Sequence, residues 1–495
     1  MSKKRLRGGT SGDAVLLMFI KLVTMTVGLV VTRLLSQYFS YQDYGTYSQI
    51  LLVVSTVTSI TILGMVDGMN FFNCREKDPD KRERYVSTIF ALQCIVSTVG
   101  GCVVMLLTGP ICTHFHNDDV ARLLVFAAVL PMLQNFISMI QVLVVSVGKA
   151  RMLAVRNLTV SLTRLAVVIV VIAFVRNVAL ILLMTVVMDV AQLVIFVAML
   201  RRHGYHLGPK AVDFRLFREI FFYCAPMAVF TLVSTLNRDL DKYLVGMMTN
   251  TETLAVYSNA SKALPFDIVM TSFTTVLVPE ITRRVAAGKK TQVAGLYKTF
   301  LEFTYIATGI LCCAALAAAP QLMQLLYSKK YLGGLTVFIL YILVDLLRFT
   351  NITLLLAVAG KTKYLMFLSF GTLGANAVLN VVLYRVMGLA GPALATLLVT
   401  FATGVLILHL SARVLDTGLG SLFDLKCLSI FAVVSTGLTL GLYQGQKWLA
   451  STGMNYVLVL MVTGGVYGLV MAALYGKRLL RALKNMNKVT KGAGE

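Results

Sequence analysis

The stretch TRLLSQYFSYQDYGTYSQILL, residues 32–52, ends one apolar run in an arginine, passes through a polar and aromatic turn, and opens a second apolar run. Apolar stretches of roughly 20 residues on either side of Ser36 to Gly45 have the length of helices that cross a bilayer, so the turn joins two spans on one membrane face. Tyr38, Tyr41, Tyr44 and Tyr47 are expected at the headgroup level, where a ring with a polar tip is comfortable on both sides.

The pattern repeats along the chain. Its 495 residues are 58% hydrophobic and 14% charged, with a mean hydropathy of +0.81, a composition that excludes a water-soluble protein. About fourteen runs have spanning length, from Ala14 to Leu35 at one end to Met454 to Tyr475 at the other. The second is read as Thr46 to Val66 and the eighth as Leu254 to Pro279. The first run is too long for a signal peptide's apolar region and is expected to stay as a helix. The eight cysteines have no C-x-x-C spacing and read as small packing residues.

Lys and Arg number 45 against 22 Asp and Glu, giving +23, and they fall in alternate loops. One side holds the N-terminal bases, Arg75 to Arg84, Lys149 to Arg156, Arg201 to Arg218, Arg283 to Lys298, Lys361 and Lys363, and six in the tail from Lys477 to Lys491. The other holds only Arg122, Arg176, Lys329, Lys330, Arg385 and Lys447. Cytoplasmic loops carry the excess of bases, so both termini are expected in the cytoplasm, as an even number of spans requires. Anionic lipid headgroups are the expected partners of some of these loops; no basic stretch forms a nucleic-acid module.

VSVGKARMLAVRNL from Val145 aligns with AVAGKTKYLMFLSF from Ala357, and YGTYSQ from Tyr44 with LAVYSN from Leu254. Two six-helix units of the same orientation follow, related by an axis along the membrane normal. The expected fold is an all-α polytopic membrane protein with a lobe at residues 1–208, a second at 209–415, and two further helices with a basic tail at 416–495. Two matched lobes suit alternating access. No Gly-rich phosphate loop, nucleophile triad or carboxylate pair of fixed spacing appears, which argues against an enzyme; His114 and His116 with Asp118 and Asp119 read as a solvated external loop rather than a metal site, and no cofactor is expected.

RLLSQYFSYQDYGTYSQ, LNRDLDKYLVGMMTNTETLAVYSNASKAL, VLVPEITRR, LLYSKKYLGG and GKTKYLMFLSFGTLGANAVLNVVLYRVMGLAGPALAT occur here in sequence. In order and spacing they resemble bacterial Wzx-type polysaccharide flippases of the multidrug/oligosaccharidyl-lipid/polysaccharide exporter superfamily. The likeness runs from about Lys21 to Ala412 and is most specific over Leu373 to Thr396. It implies a bacterial cell-membrane protein that moves an undecaprenyl-linked oligosaccharide from the inner to the outer leaflet, alongside polymerase or glycosyltransferase proteins. A cation-coupled drug exporter and a non-transporting scaffold of glycan assembly are the alternatives.

An ionised side chain at mid-bilayer costs roughly 2.5 to 3.5 kcal/mol, so each one needs a partner or a purpose. The spans carry seven bases (Lys21, Arg33, Arg164, Arg238, Lys242, Lys262, Arg348) and seven acids (Asp67, Asp189, Asp239, Asp241, Asp267, Glu302, Asp345), so a count alone makes no cationic cleft. Spacing pairs Asp345 with Arg348, and Arg238 with Asp241, with Lys242 four residues from Arg238 on the same helix. Lys21, Arg164 and Lys262 have no acid within a turn, and with Arg238 they are the candidate contacts to a lipid phosphate. Arg164 has a bland alternative in a bridge to Asp189. Asp189 and Asp267 are candidate coupling acids, and Thr231, Ser234 and Thr235 form a polar stripe that lines a cavity or bonds a neighbouring helix. Pro226 and Pro265 are candidate hinges.

Overall fold

A computed structural model describes residues 10–76, 78–146, 150–202, 211–262, 264, 266, 281, 284–285, 287–348, 353, 355–356, 359 and 361–491. The turn that opens the sequence is tight. Helix α1 (Thr10–Tyr38) ends two residues before α2 (Tyr41–Thr61), and Ser40 caps α2 by accepting from the Asp43 amide at 3.0 Å. Tyr38 is exposed, whereas Tyr44 and Tyr47 are buried, so those two do not belong to the aromatic belt expected of them.

The described residues are helical throughout, with no strand. After α2 come α3 (Met65–Arg75), α4 (Pro79–Leu106), α5 (Thr108–Phe115), α6 (Asp119–Ser146), α7 (Ala150–Phe174), α8 (Val178–Arg202), α9 (Phe217–Met248) and α10 (Thr251–Ala260). The later helices are α11 (Lys290–Ala317), α12 (Ala319–Tyr327), α13 (Leu335–Leu347), α14 (Thr362–Met387), α15 (Ala390–Val414), α16 (Leu425–Ser451) and α17 (Tyr456–Lys491). Eleven are long and apolar enough to cross a membrane, or twelve when α2 and α3 count as one span bent by 43°. Of the fourteen expected, the first appears in α1, whose Leu22–Tyr38 part is a shorter apolar helix. The eighth, Leu254 to Pro279, falls largely outside the described residues, as do Asp267 and Pro265.

The bend was not expected. The run Thr46 to Val66 carries no charge and reads as one span, yet Leu63 and Gly64 adopt left-handed φ values of 43° and 67° and stop α2 inside it.

The chain divides into two compact units, Met1–Ala255 and Val256–Glu495. In the first, α6 packs on α2, α4 and α8, while α1 lies on α7. Its core joins Met69 and Phe72 of α3, Ile89 of α4, Ile140 and Leu143 of α6, Phe196 of α8 and Ile220 of α9. Helix α9, which the repeat pattern assigns to the second lobe, packs on α2 and α3 within this unit, with Glu219 accepting from Tyr85 at 2.6 Å and pairing with Arg75 at 3.4 Å.

In the second unit α11 is central and contacts α13, α16 and α17. Arg478 of α17 reaches Glu302 of α11 and, at 2.6 Å, Asp424 at the start of α16, so one guanidinium joins three helices. The pair expected between Asp345 and Arg348 forms at 3.2 Å.

Candidate functional site

On α2, residues 47, 51, 54, 55, 58 and 59 recur at helical spacing and form one face. That face lines a cavity of about 470 Å³ in the first unit, completed by Leu130 and Gln134 of α6, Arg164 of α7, Leu182 and Thr185 of α8, and Thr235 and Arg238 of α9. The volume suits a ligand head group rather than a solvent ion. Its described lining contains two arginines and no carboxylate.

Arg164 stands near the middle of the spanning stretch Val155–Phe174. One terminal nitrogen donates to the Tyr47 hydroxyl at 3.1 Å, and its Nε is buried with no hydrogen-bond partner. The bridge to Asp189 does not form. The Asp189 carboxylate instead accepts from Gln192 at 3.1 Å, and Gln192 accepts from Arg156, whose guanidinium lies 5.0 Å over the Phe196 ring. Asp189 is not part of the cavity lining.

Arg238 is held differently. Its Nη2 lies 3.2 Å from Asp239 and 3.4 Å from the Ser55 hydroxyl, and Asp239, almost fully buried, also pairs with Lys242 at 2.7 Å. The arginine itself is 60% exposed, so it keeps a solvated face that a ligand can reach. The hydroxyls around it are tied across helices: Ser59 donates to Thr235 at 3.0 Å, Thr58 to Gln134 at 3.4 Å, and Tyr243 to the Leu52 carbonyl at 2.9 Å. This network fixes the polar wall in place before a ligand arrives.

Of the residues singled out in the sequence, Arg164, Arg238 and Thr235 share this cavity. Thr231 and Ser234 are not in its lining, and the Lys21 side chain and Asp267 lie outside the described residues. Lys262 belongs to the second unit, just past the end of α10. Tyr47, Ser55, Ser59 and Gln134 were not singled out as site residues, although the i, i+4, i+8 spacing of Tyr47, Leu51 and Ser55 was available as a signal.

Residues 30–335 match the model of a family described as polysaccharide biosynthesis protein. Among solved structures, the chain is similar to the lipid II flippase MurJ in an inward closed conformation, with a TM-score of 0.75 and 15% identity over 94% of this chain and 100% of that one. It is also similar to an inward-facing multidrug resistance transporter of the MATE family within the MOP superfamily, with a TM-score of 0.65 and 11% identity over 81% and 98%. At these identities the likeness concerns the fold. A curated relative, the probable multidrug resistance protein NorM of Streptococcus pneumoniae, is 28% identical over 175 residues; that match covers 34% of this chain and 37% of the relative's length.

Proposed function

The chain belongs to the polysaccharide biosynthesis protein family, and from that premise we propose that it is a flippase for a polyprenyl-(pyro)phosphate-linked oligosaccharide, moving it from the inner to the outer leaflet for cell-surface polysaccharide assembly. The observation that carries this reading is the Arg164 guanidinium, placed at mid-span in a roomy cavity with a buried Nε that has no partner. A planar guanidinium suits phosphate oxygens because its fork makes two parallel charge-assisted bonds. The Ser, Thr and Gln wall offers what sugar hydroxyls need, and the hydrocarbon tail can stay in lipid. Residues bind and orient the head group; no bond is made or broken, so the chain acts as a transporter rather than an enzyme. Alternating access is the mechanism that follows.

The similarity to multidrug transporters favours a second reading, export of lipophilic cations. Two arginines without a lining carboxylate are poor company for a cation, which ranks this reading lower. Proteoliposomes loaded with a fluorescent polyprenyl-diphosphate oligosaccharide, read by an impermeant quencher, test both. Losing a charge-assisted contact in a desolvated pocket costs about 2–3 kcal/mol, so Arg164→Ala is expected to slow flipping by roughly 30- to 150-fold while membrane insertion persists. Unchanged flipping by Arg164→Glu overturns the site. Movement of a lipophilic cation without movement of the glycolipid selects the export reading, and movement of neither selects the scaffold.

A further inference from the structure

Leu182 and Thr185 of α8 line the cavity, and Asp189, one turn further along the helix, recurs on the same face. Helix α8 packs on α7, and Arg164 and Asp189 each stand near the middle of their spanning stretches, Val155–Phe174 and Val178–Arg202. The two charges act on one another electrostatically, yet each is held by a neutral partner: Arg164 donates to Tyr47 at 3.1 Å, and Asp189 accepts from Gln192 at 3.1 Å. Arg156, the other base that acts on Asp189, is engaged elsewhere, by Asn157 at 2.8 Å, by Gln192, and over the Phe196 ring. Opposite charges at one depth, on two helices already in contact, need only a side-chain movement to meet.

A carrier that works by alternating access closes its cavity twice in each cycle, once around the cargo and once without it. Closed around a lipid phosphate, Arg164 has anionic oxygens against it. Closed without one, it has only the Tyr47 hydroxyl, and a guanidinium shut away from water with no counter-charge is costly at that depth.

We propose that Asp189 is the internal counter-charge of the empty return: its carboxylate leaves Gln192 and pairs with Arg164 as the cavity closes without cargo, and goes back to Gln192 when the cavity reopens. The inference rests on the flippase reading and adds to it the residue that resets the carrier. While the cavity is wet, as the 60% exposure of Arg238 shows it to be, water screens the attraction and neutral partners suffice. Closure removes that water and strengthens the pull between opposite charges, and Asp189 then exchanges a neutral donor for a charged one. When cargo is present, its phosphate occupies the guanidinium and the carboxylate stays where it is. A paired Arg164 and Asp189 carry no net charge, so membrane voltage acts on the loaded step and not on their return.

Proteoliposomes containing the full chain and a fluorescent polyprenyl-diphosphate oligosaccharide separate the two half-cycles. With glycolipid in one leaflet only, the carrier returns empty and net flipping is read; with unlabelled glycolipid in the other leaflet as well, it returns loaded and exchange is read. Asp189→Asn still offers Gln192 an acceptor but has no charge for Arg164, so net flipping is expected to slow by roughly tenfold or more. Exchange should continue near the rate of the unaltered chain. Asp189→Glu keeps the carboxylate and should restore net flipping. Equal rates of net flipping and exchange in Asp189→Asn overturn the proposal, whether both persist or both fall together, as does a net defect that Asp189→Glu fails to lift. An unaltered chain that moves the labelled glycolipid in neither arrangement overturns the flippase reading, and this inference with it.

Discussion

Arg164 shows how a single side chain can be read for function. Holding an ionised group near mid-bilayer costs roughly 2.5 to 3.5 kcal/mol, and a hydrogen bond from a charged group returns about 1.5 to 3 kcal/mol. The Tyr47 hydroxyl therefore offsets part of the cost, and an anion bound as the proposed function requires would offset the rest. Tyr47→Phe is expected to lower flipping about three- to tenfold by freeing the guanidinium to reorient, a smaller loss than Arg164→Ala. Arg164→Lys should recover part of the Arg164→Ala loss but not the two-point grip, and equal activity of Lys and Arg at this position would remove the bidentate argument. At Asp239 the sign reverses. Replacing it with Asn strips the shared counter-charge from Arg238 and Lys242, so a non-flippable polyprenyl phosphate should inhibit at lower concentration while turnover falls. The arginines were legible in the sequence because charge in an apolar run is costly. Tyr47 was not, since its contact spans 117 residues of chain, and spacing pointed Arg238 to Asp241 rather than to its partner Asp239 because adjacent residues on a helix do not normally face each other.

Among the elements, the break between α2 and α3 connects the cavity to the rest of the first unit. Thr58 and Thr61, in the last turn before the break, are gripped from α6 and α4: Asn135 donates to the Thr61 hydroxyl at 2.9 Å, and Gln93 to its carbonyl at 3.0 Å. Gly64 supplies the left-handed backbone, and a Cβ there would lie 2.6 Å from the Cys224 carbonyl oxygen of α9. Gly64→Ala should destabilise the protein by about 1–3 kcal/mol, visible as a lower midpoint when unfolding in detergent is followed by size exclusion. Gly437→Ala on α16, where nothing stands within 4 Å, should be neutral or stabilising by up to about 1 kcal/mol. Asp424 gives α16 a pH-sensitive start. The Cys427 backbone amide and the Arg478 guanidinium hold its carboxyl below the usual carboxylate range. A lowered folded value means that its contribution is complete above about pH 4 and fades as pH drops through that lowered value. The acid loss of stability should accordingly be smaller in Asp424→Asn than in the unaltered chain, and identical profiles would show that the cap contributes nothing. Spans were legible because crossing a bilayer demands length and apolarity. The break was not, because backbone conformation leaves no mark on hydropathy; Gly64 was the only hint.

On the scale of the whole molecule, membrane crossing was legible in the hydropathy, and the loops in which the +23 charge gathers give the expected orientation. Which buried charges meet in one cavity depends on how the helices pack, and that information is distributed over α2, α6, α7, α8 and α9. Orientation also sets the energetics of the proposed cargo. Moving one negative charge outward across an inside-negative membrane gains about 2.3 kcal/mol per 100 mV, close to a 50-fold bias for each charge carried. A phosphate head group supplies at least one such charge, so voltage alone can drive the transfer provided the cavity's own arginines stay with the protein. In oriented proteoliposomes, a potassium diffusion potential of inside-negative sign should raise outward accumulation of the glycolipid, and reversing its sign should suppress it. A pH gradient clamped at zero voltage should leave accumulation flat. If the pH gradient drives transport and voltage does not, the charge that moves is a proton, and Asp189, set apart from the cavity and bonded to Gln192, becomes the acid to replace first.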